Sequence, residues 1–421
     1  MRKFEIRDPV YGFIEFNEWE KKIIEHPAFQ RLRRIRQLAL TDMVYPGATH
    51  TRFEHSLGVM HLITKMYDSI TTKDLNIRIL QDKLLYNESG IKRDRQLVRL
   101  AGLLHDIGHA PFSHASEDLM PLNPATGKPF KHEDYTVSII RGPLKDVIEN
   151  HPLNNNYNIR AEEIADLIEG NPKSLGKRIF WRVLISSQLD ADKGDYLLRD
   201  SLHIGVKYGI YDLDRLLVTL SLGEDPETGD VALGIEKGGW HVAESLVIAR
   251  YQMFTQVYFH KTRRAYDYML QKALKDTLNK FPSPEEIEEF LQMDDYVVWN
   301  LMKEKNSCWF KNIERRQHIR MVVETKETPV REEIKFIENY EKKLRDENIW
   351  YWKDSPDESK SWYKVGKDDE ILIVDESGKV TPLSNYSKVV ESLIEQFAKI
   401  RIYVKNKDKK KALEIKEEVK Q

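Results

Sequence analysis

Residues 3–17 alternate apolar and polar positions, KFEIRDPVYGFIEFN, around a Pro/Gly turn, and this predicts a β-hairpin. From Glu18 to Gln37 the spacing becomes helical, with Ile23, Ile24, Phe29, Leu32 and Ile35 at the apolar positions. A second helix is predicted over 55–70, with Leu57, Met60 and Ile63 on one side. A third is predicted over 94–108, stopped by Gly108 and Pro111. Helical patterns recur at 161–169, 177–190, 193–203, 212–220, 239–278 and 285–305, and the turn-rich stretch near 223–237 reads as a hairpin. After about residue 306 the texture changes. β-type runs appear at 319–324, 371–375 and 400–404, separated by helical patterns at 331–346 and 386–399. The tail, 405–421, reads as a solvated helix or frayed end. The expected architecture is mainly α, with a helical body over 1–306 that includes small β-hairpins and a smaller α+β lobe over 307–421.

Composition narrows the function classes. At 421 residues the chain can bury a large core, and its net charge of -2 gives no global pull toward nucleic acid or membrane. No stretch reaches the ~20 apolar residues of a membrane span, and the first residues lack an apolar leader core. One cysteine, Cys308, excludes a disulfide framework and points to a reducing cytoplasm. The charged fraction of 32% fits an ion-pair-rich surface or ordinary solvated helix faces.

Against that background one stretch stands out: LLHDIGHAPFSH, 103–114, carries three histidines and an aspartate within ten positions. Core histidines usually come singly, and solvated faces favour Lys and Glu. His105 and Asp106 are adjacent, about 100° apart on a helix, so one ion beside them can take an imidazole nitrogen and a carboxylate oxygen together. Such mixed donors without thiolate suit Fe, Mn, Zn or Ni better than a structural zinc site. His55 at the start of one helix and Asp192 at the start of another would complete a set that leaves positions open for water and substrate. A second charged stretch, RLRRIRQ (31–37), reads as a solvated basic face or as a nucleotide contact.

Four motifs occur in order: HTRFEHSLGV (50–59), AGLLHDIGHAPFSH (101–114), FKHED (130–134) and DADKGDYLLRDSLHIGV (190–206). Together they resemble the HD-domain phosphohydrolases, specifically the deoxynucleoside triphosphate triphosphohydrolases. The likeness is greatest to the HD core of the vertebrate sterile-alpha-motif/HD enzymes and to dGTPase-like bacterial relatives. It extends through RDPVYGFIEF (7–16), HPAFQRLRRIRQL (26–38), YPGATHTRFEHSLG (45–58), HKTRRAYDYM (260–269) and, more loosely, IRIYVK (400–405).

The resemblance implies one divalent transition metal on His55, His105, Asp106 and Asp192, with Mg as a further candidate accompanying the nucleotide. It implies that His109, His114 and His132 are catalytic, with Glu133 or Glu117 orienting one of them. Arg52 and Lys193 match phosphate grips, Tyr196, Asp200 and Tyr266 the sugar pocket, and Gln37 and Leu38 the positions beside base and sugar. In that pocket the aspartate would accept from the 3′-hydroxyl, and the tyrosine ring would fill the space of a 2′-hydroxyl. Vertebrate-type members carry an Arg and a His eight and four residues before this tyrosine; counted from Tyr266 those places hold Tyr258 and Thr262, so the phosphate tail is expected to be held differently. An activating guanine nucleotide between subunits would use Glu25, Gln30 and Arg33, which requires a homo-oligomer, dimer or tetramer. Phe4 and Glu5, with Lys3 beside them, replace a Lys-Val contact of that site.

The implied activity is dNTP hydrolysis to deoxynucleoside and triphosphate, without membrane or nucleic-acid partners. The alternatives are another HD phosphohydrolase activity, a nucleotide phosphomonoesterase or single-strand nuclease, and a non-catalytic nucleotide sensor.

Overall fold

A computed structural model of the chain describes residues 3–355, 360, 361, 363, 370–394 and 396–420. The chain opens on the hairpin of β1 (Phe4–Asp8) and β2 (Gly12–Phe16), in register from Phe4 opposite Phe16 to Asp8 opposite Gly12. Helix α1 (Glu18–Glu25) starts on a reciprocal cap: Asn17 accepts the Glu20 backbone N–H at 2.9 Å, and the Glu20 carboxylate accepts that of Asn17 at 2.9 Å. The helical spacing runs on to Gln37, but the helix does not. Pro27 forces the residue before it out of the helical region, and His26 sits at φ -65, ψ 139. A four-residue turn (Pro27–Gln30) and a 3₁₀ turn (Arg31–Arg34) follow, and Ile35 is extended.

Two long helices form the centre, α2 (Arg52–Thr71) and α3 (Glu88–Leu104). Gly102 lies at their crossing, where a Cβ would stand 2.8 Å from Ile63 Cγ2. Leu97, Leu100, Leu103 and Leu104 are all fully buried, and each such leucine contributes about 2 kcal/mol of apolar burial. Helix α3 begins six residues before the predicted start, because its first turns, ESGIKRDR (88–95), are mostly polar. It ends at Leu104, before Gly108. Next come α4 (His132–Arg141), α5 (Ala161–Glu169) and α6 (Ala191–Ile204), while 177–190 forms a 3₁₀ segment at Gly176–Leu184 rather than an α-helix.

The predicted hairpin is β3 (Leu220–Glu224) with β4 (Val231–Glu236). The pattern over 239–278 breaks into α7 (Trp240–Met253), a π-turn (Phe254–Tyr258) and α8 (Lys261–Thr277). Helix α9 (Asp295–Lys305) is capped by Asp294, whose side chain accepts the Val297 N–H at 2.9 Å. The C-terminal part contains β5 (Arg320–Glu324), α10 (Arg331–Asp346), β6 (Tyr351–Asp354), β7 (Leu372–Val374), β8 (Val380–Pro382), β9 (Arg401–Val404) and α11 (Lys409–Lys420). One sheet has the order β5-β9-β6; its strand β6, YWKD, lacks apolar alternation. The other has the order β3-β4-β7-β8, in which β7 runs parallel to β4. Among the described residues of the helical pattern at 386–399, only Lys388–Ser392 is α-helical. Among the described residues no helix is long and apolar enough to cross a membrane.

The fold is mainly α, with small sheets at its edges. One apolar cluster surrounds α2, α3 and α5; a second lies under α8 and includes Phe112, Tyr135, Tyr266 and Phe290.

Candidate active site

The HD motif sits where α3 stops. His105 is the residue after Leu104, and the turn that follows is held by the Gly108 N–H donating to Thr136 Oγ1 at 3.0 Å. Glycine is required here: a Cβ on Gly108 would lie 2.3 Å from both the His132 carbonyl oxygen and the Thr136 nitrogen. His105 Nδ1 lies 2.9 Å from the Gly102 carbonyl oxygen. A carbonyl only accepts, so Nδ1 carries a proton and Nε2 is the ring nitrogen left for a cation. That Nε2 is buried without a hydrogen-bond partner. An orphaned ring nitrogen of this kind suits a metal ion.

The other donors face the same point. His55, His105 and Asp106 offer ligand-type atoms within 4.8 Å of one another. Asp192 Oδ1, in the first turn of α6, lies 3.1 Å from His55 Nε2 and 3.8 Å from His105 Nε2. The four predicted ligands thus come together from α2, the end of α3 and α6. Two imidazoles and two carboxylates fit a divalent ion with N/O preference. Burial works against both carboxylates ionising, yet Asp106 is held well below the usual range by Arg52, His105 and His109. The His105 and His55 side chains do the same for Asp192.

Behind His55 stands a layer that the sequence reading passed over. His55 Nδ1 faces Asp195 Oδ2 at 2.8 Å, Arg199 grips Asp195 with Nε at 2.8 Å, and the same guanidinium reaches Asp8 at 2.8 Å. Carboxylates behind a ligating imidazole fix its ring and raise its basicity. Burial would lower His55, but bonds to Asp192 and Asp195 push it up to about 10. Gly58 makes room for this pair, since a Cβ there would meet Asp195 Oδ1 at 2.0 Å. The readable signal was the i, i+4 spacing of Asp195 and Arg199 in DYLLRD.

Beside the ligand set lies a second group: Asp106, His109 and His132. His109 Nε2 is 3.2 Å from Asp106 Oδ1, and its ring stacks on that of His132 at 4.0 Å. Burial, then the neighbouring Arg52 and His132, pushes His109 well below the ordinary imidazole value. Glu133 Oε2 lies 3.3 Å from His132 Nδ1. His109, His132 and Glu133 open on a cavity of about 380 Å³, whose wall also includes Glu117 and Lys131. The side chain of His114 lies outside the described residues.

Arg52 is already engaged: its guanidinium pairs with Asp106, and Nε donates to Ser113 Oγ at 2.9 Å. Lys193 Nζ donates to Asp190 at 2.8 Å; burial opposes its charge, and Asp190 raises its pKa. Gln37 and Leu38 line a cavity of about 90 Å³ that reaches Ser113 and Arg263.

Tyr266 does not lie beside Tyr196 and Asp200, as the resemblance implied. Tyr266 is fully buried in the second cluster, with its hydroxyl 3.4 Å from His318 Nδ1. The residue that joins Tyr196 and Asp200 is Tyr258, which donates to Asp200 Oδ2 at 2.6 Å and meets the Tyr196 ring at 6.1 Å. Asp200 also receives His50 Nε2 at 2.7 Å. The two tyrosines are eight residues apart, so a helix read as continuous separates them poorly; the π-turn and the break at His260 set them on different sides. Counted from Tyr258, the family's Arg and His places fall on Arg250 and Phe254. Arg250 is close enough to Lys193 and Tyr196 to act on both electrostatically, and it donates to Gln188 Oε1 at 2.5 Å. The arginine is therefore present and the histidine is not.

The arginines of 31–37 do not form a solvated helical face. Arg31 is buried, with Nε donating to the Met293 carbonyl at 2.7 Å; Arg34 pairs with Asp294, and Arg36 with Asp42 at 2.6 Å. Arg33 stays outward, donating to Gln30 Oε1 at 2.9 Å and lying over Phe53. Glu25 is exposed beside Lys21 and Lys22.

Comparison with known proteins fits this geometry. The HD domain family matches residues 52–200, and the HD associated region family matches 211–350. A deoxynucleoside triphosphate triphosphohydrolase SAMHD1 homolog of Dictyostelium discoideum is 29% identical over 330 residues, 76% of this chain and 60% of that protein. The chain thus spans less than two-thirds of that relative. A hypothetical protein from Aquifex aeolicus superposes with a TM-score of 0.77 at 28% identity, covering 98% of this chain and 100% of that one. A phosphohydrolase from Bacteroides thetaiotaomicron gives a TM-score of 0.71 at 26% identity, covering 96% of this chain and 100% of its own. The chain belongs to the HD-domain family and is similar to dNTP triphosphohydrolases within it.

Proposed function

We propose that the chain hydrolyses deoxynucleoside triphosphates to deoxynucleoside and triphosphate. The observation that carries this reading is the convergence of His55, His105, Asp106 and Asp192 beside a cluster of neighbouring side chains, Lys193, Arg250, Tyr196, Asp200 and Tyr258. A bound Fe, Mn, Zn or Ni would polarise a phosphoryl oxygen and supply a water of lowered pKa. Lys193 and Arg250 would hold the phosphate tail, and Arg52 would share its charge between Asp106 and a phosphoryl oxygen. Tyr258 and Tyr196 would enclose the sugar, with Asp200 turning from the Tyr258 hydroxyl to a 3′-hydroxyl.

In the reaction the water oxygen bonds to the α-phosphorus and the bond from that phosphorus to O5′ breaks. O5′ leaves with a proton. His109, His132 and, by the family pattern, His114 are the groups that would move protons on this face, with Glu133 orienting His132. Glu25, Gln30 and Arg33 are proposed to hold an activating guanine nucleotide in a homo-oligomer, and a reducing cytoplasm suits the exposed Cys308. The test is a panel of dNTPs and NTPs, each alone and in mixtures, with Mn²⁺ and measurement of phosphate product length. Inorganic triphosphate from dNTPs supports the reading. Orthophosphate or shortened oligonucleotides would replace it with a phosphomonoesterase or nuclease.

A further inference from the structure

The turn that follows the HD motif is fastened from outside the HD domain. Asp295, the first residue of α9, is buried, and both of its carboxylate oxygens accept backbone N–H groups: Oδ1 from Phe112 at 2.8 Å and Oδ2 from Arg36 at 2.9 Å. Phe112 and Ser113 both lie in the left-handed region, at φ 58 and φ 52. Two successive non-glycine residues there are strained by about 1 kcal/mol or more each and persist only where their surroundings hold them. Ser113 Oγ in turn accepts from Arg52, and the Arg52 guanidinium pairs with Asp106. On the other oxygen, Arg36 leads directly into Gln37 and Leu38, which line the adjacent cavity.

We propose that Asp295 is a positioning residue: by holding the Phe112–Ser113 turn it sets Arg52 and through it Asp106, so that the chemistry of the HD domain depends on a carboxylate supplied by the HD associated region. The charge at this place is costly. Burial pushes Asp295 up to about 6, while the N–H bonds from Arg36 and Phe112 and the charges of Arg36 and Arg31 pull it down. The neighbouring charged groups are Asp294 on its own helix, which is paired with Arg34, and Arg31, which lies over Phe290. An asparagine would match the shape but offers one acceptor oxygen, so one of the two N–H groups would face an NH₂.

This inference rests on the hydrolase reading for its kinetic arm only. The experiment compares wild type with Asp295→Asn, both loaded with Mn²⁺, using dGTP mixed with the other three dNTPs as the probe. Amide hydrogen exchange over 109–114 is measured without substrate. The expected result is a fall of about tenfold or more in kcat, the loss of one charge-assisted hydrogen bond, with KM changed less than about threefold. Exchange over 109–114 should quicken in the variant. The kcat ratio of wild type to variant should shrink as pH falls through about 6, the range in which Asp295 takes up its proton. Should the variant fail to fold, Ser113→Ala, which cuts the same path nearer the metal, should lower kcat to a similar degree. Unchanged exchange in Asp295→Asn overturns the proposal, as does an unchanged kcat. A wild type that turns over no nucleotide refutes the hydrolase reading instead, and the exchange comparison still decides the role of Asp295.

Discussion

His105 shows how a single backbone acceptor can decide the chemistry of a side chain. The Gly102 carbonyl takes one ring nitrogen and leaves the other buried with nothing to bond. Replacing His105 by Gln keeps polarity but removes that aimed ring nitrogen, and the variant is expected to lose at least about 10-fold in Mn²⁺ affinity. Titration calorimetry reads this directly. The two tyrosines separate just as cleanly. Tyr258→Ala removes the ring proposed to enclose the sugar beside Tyr196 and should raise KM for dGTP by about 5–10-fold. Tyr266→Phe should leave KM unchanged. The reverse result would restore Tyr266 to the pocket. Asp295 adds a pH prediction for stability. Its folded value of about 6 exceeds the usual ~3.9, so folding favours the protonated acid and this contribution is lost as pH rises through about 4 to 6. Asp295→Asn avoids that loss, and its stability relative to wild type should improve by up to about 3 kcal/mol from pH 4 to pH 7. Urea unfolding at the two pH values measures it.

At the scale of elements, the site depends on close helix approaches that only glycine permits. Gly58→Ala would drive a methyl into the Asp195–Arg199 pair and should destabilise by about 1–3 kcal/mol, with weaker Mn²⁺ binding because His55 loses its support. A variant of wild-type stability and affinity would show that the pair is slack. What could be read from sequence follows the same physics. The convergence of His55, His105, Asp106 and Asp192 was legible in the motifs, and so were the amphipathic helix Ala161–Glu169 and the hairpin at 220–236. The boundaries of α3 were not, because a polar first half hides a helix whose buried stripe starts late. The helix expected over 239–278 failed at its π-turn: a widened turn leaves apolar periodicity nearly intact while shifting every residue beyond it, and it is Tyr258 rather than Tyr266 that lies against Tyr196 and Asp200. Strand β6 carried no alternation to find. The basic run at 31–37 misled for another reason, since its partners, Asp294 and the Met293 carbonyl, lie some 260 residues away.

For the whole molecule, the functional residues come from the hairpin, the helical body and the associated region together. Asp8 supports Arg199; α2, the turn after α3 and α6 bring His55, His105, Asp106 and Asp192 together; and Asp295 of α9 accepts from Phe112 in the loop that follows. A metal that binds this folded arrangement and not the unfolded chain stabilises it by mass action, by about 2.7 kcal/mol at a hundredfold excess over Kd. The decisive measurement is therefore the titration of metal-stripped wild-type protein with Mn²⁺, followed by both heat and thermal melting, alongside Asp106→Ala. The account predicts one ion per chain and a rise in melting temperature for the wild type, and neither for the variant. A wild type that takes up no ion, or a variant that binds as tightly, would contradict it.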